Sequence, residues 1–217
     1  MPSWAERAAR AIERYEDGVA RLPGDPDERQ RQLTRTGNAA WAAGLSLLMD
    51  GSENEAKVWL RRAADRYRES WPGAPPGSWG RPIGALKSRL IAGDSAGSRQ
   101  DASWALAAEA AGSESPIGRY SAALAFLVLS RDAEAAELTS SLAEADAIPA
   151  PVSDSLAALA AADAPAYDTA IRALIADFEA REEFLEDIPV ADTVLALQAL
   201  ASPRGLAVAL SSPLLPA

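Results

Sequence analysis

In 217 residues the chain has neither cysteine nor histidine. Without cysteine there are no disulfides, thiolate metal sites or cysteine nucleophiles. Without histidine the chain lacks the commonest general base near neutral pH and the commonest imidazole metal ligand. Ser–His–Asp catalysis, zinc deaminase chemistry and Glu-x-x-His di-iron sites are excluded together. Lysine is almost missing, two residues against 19 arginines. No eighteen consecutive residues are apolar, so no membrane span is expected. The start, "MPSWAERAARAIERYEDG", is charged throughout and has no apolar segment of the secretory type, so a cytoplasmic protein is expected. G-x-S-x-G, P-loop and G-x-G-x-x-G motifs are all missing, and "GDSAGS" (93–98) sits in a turn between helices, where it reads as a cap. The expectation is a protein that is not an enzyme and needs no cofactor.

What is present is unevenly spread. Net charge is −10, which argues against nucleic acid as a partner. Residues 1–111 carry a net +1, whereas residues 112–217 carry −11, and all six tryptophans (4, 41, 59, 71, 79, 104) lie in the first part. The acidic part favours a basic protein partner.

No stretch alternates with the period of a strand, and helical periodicity runs throughout. About ten helices are predicted, over about 2–22, 26–49, 52–70, 79–92, 94–111, 116–129, 132–145, 152–162, 165–186 and 189–201. Ser3 with Glu6, and Ser52 with Glu55, have capping-box spacing. Asp25 precedes Pro26, and Ser115 precedes Pro116, as caps ahead of proline at the first helical position. The chain therefore reads as all-α: one helical domain over 1–204, then an irregular tail over 205–217. The tail's apolar residues either dock on the last helices or reach another chain.

Turns of one type recur near residues 51, 93, 130 and 162. Recurrence at such intervals marks a helical repeat. Residues 37–70, "GNAAWAAGLSLLMDGSENEAKVWLRRAADRYRES", resemble the tetratricopeptide repeat. Gly44, Leu47, Gly51, Ala56, Leu60 and Ala63 stand at its small and large positions, which let two helices approach and interlock. Leu90, Gly93, Ala102 and Ala105 fit a second unit loosely; Ala123, Phe126, Ala135 and Leu142 fit a third, with Ser130 for the turn glycine. A fourth keeps only the helix–turn–helix outline. The resemblance implies antiparallel hairpins stacked as a right-handed solenoid; an irregular all-α bundle is the alternative.

The resemblance also implies a concave groove that holds a peptide or partner helix. The inner helices would contribute Asn38, Trp41, Leu45 and Leu48, then Ile83, Lys87 and Leu90, then Ile117, Tyr120, Leu124 and Leu127. Trp41 and Tyr120 would serve as aromatic anchors unless they are core, and Lys87 and Arg81 would pair with a carboxylate. Of the Asn and Lys/Arg residues that the family's carboxylate clamp uses in concert, Asn38 and Lys87 come near it. "WPGAPPGSWGRPIG" (71–84) reads as an enlarged connector between the first two units. Its Trp71, Trp79 and Arg81 either plug the stack or present a binding edge. Glu179, Glu183 and Glu186 fall on one face of the predicted 165–186 helix, read as a solvated acidic face. The expected function is protein–protein interaction through the groove. The competing readings are an immunity- or antitoxin-like inhibitor of a basic-surfaced enzyme, and a carboxylate-based helical enzyme or small-ligand binder. Homo-oligomerisation stays open.

Overall fold

The computed structural model describes residues 2–143, 145 and 147–217; Glu144 and Asp146 lie outside this description. Ten α-helices follow one another, with no strand among the described residues. They are α1 (Trp4–Ala20), α2 (Pro26–Met49), α3 (Glu53–Glu69), α4 (Gly80–Ile91), α5 (Ser95–Ala107), α6 (Pro116–Val128), α7 (Asp132–Leu142), α8 (Ala150–Ala160), α9 (Ala164–Glu179) and α10 (Asp192–Ala201). None is long and apolar enough to cross a membrane.

Local chemistry sets several of these boundaries. Ser3 and Glu6 form the reciprocal capping box at the start of α1. Asp25 accepts hydrogen bonds from the backbone of Asp27 and Glu28, with Pro26 at the first helical position of α2. Ser52 and Ser115 make no side-chain cap, contrary to expectation. The backbone N–H of Ser52 is instead turned back onto the Leu47 carbonyl at 2.8 Å.

That bond belongs to a motif found at all four of the recurrent turns. Gly51, Gly93, Ser130 and Ala162 all take left-handed backbone, with φ of 81°, 65°, 57° and 53°. After each, the next residue's N–H bonds to a carbonyl five residues back: Ser52 to Leu47, Asp94 to Arg89, Arg131 to Phe126 and Asp163 to Ala158. This is the Schellman closure, which satisfies carbonyls that a helix end leaves open. It joins α2 to α3, α4 to α5, α6 to α7 and α8 to α9.

Each helix from α1 to α9 packs most extensively on its chain neighbours. Glycines allow the closest approaches. A Cβ on Gly44 of α2 would stand 2.7 Å from Leu60 of α3. The Tyr67 ring of α3 is held between the backbones of α2 and α4: Cβ atoms on Gly37 and Gly84 would come within 2.9 and 2.8 Å of it.

Two regions depart from the expected order. First, α9 ends at Glu179, so Glu183 and Glu186 share no helical face with it. Carboxylates crowd the position where the helix dipole is negative. The chain turns there, burying Ile188 and Val190 in one core and packing Phe184 on the other. Second, α10 returns to α4 and α8 instead of packing chiefly on α9.

The core is correspondingly divided. The smaller cluster joins α1, α2 and α3, with Trp41, Leu45, Trp59, Leu60 and Tyr67. The larger runs from Trp79 to Leu206 and includes Leu86, Tyr120, Leu124, Leu127, Tyr167, Val194, Leu197 and Leu200. The tail docks back on the last helices. Leu206 is buried, the Ala191 N–H donates to the Leu214 carbonyl at 3.0 Å, and the Ser212 hydroxyl donates to Glu179 at 2.7 Å.

Candidate functional site

The expected groove residues lie on α2, α4 and α6; α10 packs chiefly on α4, and its apolar residues join the core that those of α4 and α6 form. Val194, Leu197 and Leu200 of α10 are 0%, 0% and 3% exposed, in one cluster with Leu86, Leu124 and Leu127. Burying three such side chains contributes roughly 5–9 kcal/mol of transfer free energy. A partner helix displacing α10 would have to match that, so the covered part is core rather than binding surface. At its far end Arg204, just after α10, donates to the Leu127 carbonyl at 2.7 Å and to Asp132 at 2.8 Å.

Between α2 and α4 the face stays open. A cleft of about 440 Å³ lies there, lined by Thr34, Asn38 and Trp41 of α2, Tyr67 of α3, and Arg81, Ile83 and Lys87 of α4. Asp192 at the start of α10 and Leu185 of the preceding loop complete its wall. Four of the six residues selected from sequence meet there: Asn38, Trp41, Arg81 and Lys87.

The other two do not. Tyr120 is buried in the larger core. Trp79 is buried against Trp71 at a ring separation of 5.7 Å, and Trp71 meets Trp104 edge-on at 5.6 Å. The Trp residues of the Gly/Pro-rich connector therefore plug the junction instead of presenting an edge, and Arg81 alone of the three turns to the cleft. Trp41 borders the cleft but is 5% exposed and packed in the smaller core, so its main role is structural.

Arg81 is the unusual member. Its Nε donates to Thr34 Oγ1 at 3.1 Å and its Nη2 to Gln30 Oε1. Nη1 is buried with no hydrogen-bond partner. Among the described residues no carboxylate forms an ion pair with it, although the residue is only 8% exposed. Burial holds its pKa below the ordinary arginine value, though an arginine stays charged at neutral pH. Buried charges are normally paired, because an unpaired one loses its hydration without compensation.

The rest of the wall is preorganised. The Tyr67 hydroxyl donates to Asn38 Oδ1 at 2.9 Å, leaving the Asn38 amide nitrogen to donate elsewhere. Burial first, then the charges of Asp192 and Glu186, raise the Tyr67 pKa far above its ordinary value, so it remains a donor. Lys87 Nζ lies 2.6 Å from Asp192 Oδ2 and donates to Thr193 Oγ1 at 2.9 Å. Arg81 and Lys87 against Asp192 give the cleft one net positive charge in a chain of net −10. The loop with Leu185, 56% exposed, is tied to α1 by the Arg14–Glu186 pair at 2.6 Å and by Arg7 on the Asp187 carbonyl.

Sequence reasoning missed Tyr67, Thr34, Leu185 and Asp192. Gly37 and Gly84 were the available signal for Tyr67, as two small residues that admit a ring between helices. Asp192 had none, since its arrival depends on the return of α10. Compared with family models, with curated proteins and with solved structures, the chain matches none of them.

Proposed function

We propose that the chain is a non-enzymatic helical-repeat protein of tetratricopeptide-like build, which holds an acidic segment of a protein partner in the open cleft between α2 and α4. The identical left-handed closure at four turns supports the repeat reading. One observation carries the binding reading: Arg81 is a buried cation without a carboxylate among the described residues, at a cleft that has room for one. A carboxylate there would gain a charge-assisted hydrogen bond with much of the desolvation already met by folding. The positive cleft favours an acidic group; a basic partner would have to use the acidic surface elsewhere.

Fluorescence polarisation with short peptides tests this. Peptides carrying a carboxylate should bind, and their neutral counterparts should bind at least about tenfold more weakly, since each tenfold is ~1.4 kcal/mol. Arg81→Gln should remove the difference while circular dichroism reports an unchanged helical content. Equal binding of charged and neutral peptides by the native chain would sink the reading.

A further inference from the structure

Two cations line the cleft, and among the described residues a carboxylate answers only one of them. Lys87 is paired at 2.6 Å with Asp192, and both side chains are largely buried, at 14% and 11% exposure. Among the described residues Arg81 has no such partner, and its Nη1 makes no hydrogen bond there. The Asp192 carboxylate is itself part of the cleft wall. It is also held firmly. Val194 and Leu197 anchor α10 behind it, and Ile188 and Val190 anchor the chain ahead of it, all four at most 4% exposed. The intervening Thr193 donates to Asp192 Oδ1 at 3.3 Å.

Resting on the reading of this cleft as a carboxylate site, we infer that Asp192 is a built-in competitor: the chain's own carboxylate takes Lys87 in place of the ligand's, and its charge opposes a second carboxylate at Arg81. A tethered group acts at a high effective concentration, so an incoming carboxylate cannot displace it by mass action alone. Like charges sharing one poorly hydrated site disfavour each other's ionised form. The affinity of the cleft is thus set from α10, distant in sequence from the helices that build it.

Asp192→Asn separates this role from a purely structural one, because two effects take opposite signs. Stability should fall, since Lys87 loses its partner and α10 loses an acidic residue in its first turn. Affinity for a carboxylate should rise, by about tenfold, because Lys87 becomes available and the repulsion is gone. The probe is a fluorescein-labelled pentapeptide with a free C-terminal carboxylate, compared with its carboxamide. Propionate as competitor distinguishes a peptide terminus from any small carboxylate. The expected result is tighter binding of the free acid by Asp192→Asn, no change for the carboxamide, and loss of the gain in the Lys87→Gln/Asp192→Asn double variant. If the Asn variant melts below the assay temperature, Asp192→Ser keeps an oxygen for Lys87 and makes the same prediction. Equal or weaker binding of the free acid by a folded variant, when the native chain prefers acid to amide, overturns the competitor alone. If neither chain prefers acid to amide, the carboxylate reading falls and the competitor with it. Binding of propionate with no added affinity for the peptide overturns the protein partner and keeps the competitor.

Discussion

The small core around α1–α3 and the large core around α4–α10 are built by the same rules but finish differently. Both use helix pairs closed by the same left-handed turn. Over the large core α10 comes back and seals the inner face. Over the small core the returning segment adds only Ile188, Val190 and Leu195, and the cleft with Arg81 stays open. A face inferred from its inner helices therefore stays open only where the chain's own end does not reach. Here that end covers α4 and α8 and stops at Lys87, leaving α2 with an exposed flank.

The strongest way to break this contrast is to loosen the seal. Leu197 of α10 is fully buried in the larger core. Leu197→Ala should cost about 2–5 kcal/mol, read as a lowered urea midpoint. A loss below about 1 kcal/mol would make α10 peripheral, on the scale of surface substitutions. The groove would then be open along its whole length.

A second variant addresses the open side. Glycine to alanine inside a helix ordinarily gains about 1 kcal/mol. At Gly37 the new methyl would meet the Tyr67 ring at 2.9 Å, and the ring has little room to retreat, because Gly84 on its other side lies so close that a Cβ there would come within 2.8 Å of it. Overpacking of this kind costs about 1–3 kcal/mol. Gly37→Ala should therefore destabilise and also weaken peptide binding, since Tyr67 orients Asn38. A gain in thermal stability would show that the ring moves freely and that the wall of the cleft is not preorganised.

One buried tyrosine in each core sharpens the comparison. Burial, the leading cause in both, raises the pKa of Tyr67 in the small core and Tyr120 in the large one. Each keeps in the folded state a proton that the unfolded chain releases above about pH 10. Their contribution is whole below that pH and is lost as pH rises past it, with a slope approaching ~1.4 kcal/mol per pH unit for each. Tyr67→Phe and Tyr120→Phe should each flatten the alkaline limb of the stability curve by one tyrosine. If the two substitutions act on separate unfolding transitions, the cores are independent units, and the seal by α10 does not couple them.

Much of this was legible in the sequence, and the rest failed for physical reasons. The Pro26–Met49 helix and the turns at 51, 93, 130 and 162 were readable because caps, prolines and left-handed residues act within a few positions. Asn38 and Lys87 were selected because they share a register on inner helices, and Arg81 because it is a cation of the connector able to pair with a carboxylate. Tyr120 and Trp79 are buried by packing that local sequence does not set: Tyr120 lies in the core shared with α8, α9 and α10, and Trp79 lies against Trp71 and beside Gly118 of α6. The 165–186 helix was read too long because its apolar stripe continues into Phe184 and Leu185. These residues serve the connection to α10 rather than a helical face.

The smallest expected effect tests whether the two regions share a common local design at all. Gly51 and Gly93 take their left-handed backbone without steric cost, whereas Ala162 takes the same conformation at φ 53° with a Cβ in the way. An L-residue there carries about 1–2 kcal/mol of strain. Glycine relieves the strain but adds freedom to the unfolded chain, so the net gain for Ala162→Gly should be about 0.5–1 kcal/mol. A modest rise in the thermal midpoint, with binding unaltered, is the expected outcome. The same change at an exposed helical alanine such as Ala173 should lower the midpoint by a similar amount, because glycine there only weakens the helix. If Ala162→Gly also lowers it, the fourth turn does not hold the left-handed geometry of the first. The two halves of the molecule would then share their helices but not the closure between them.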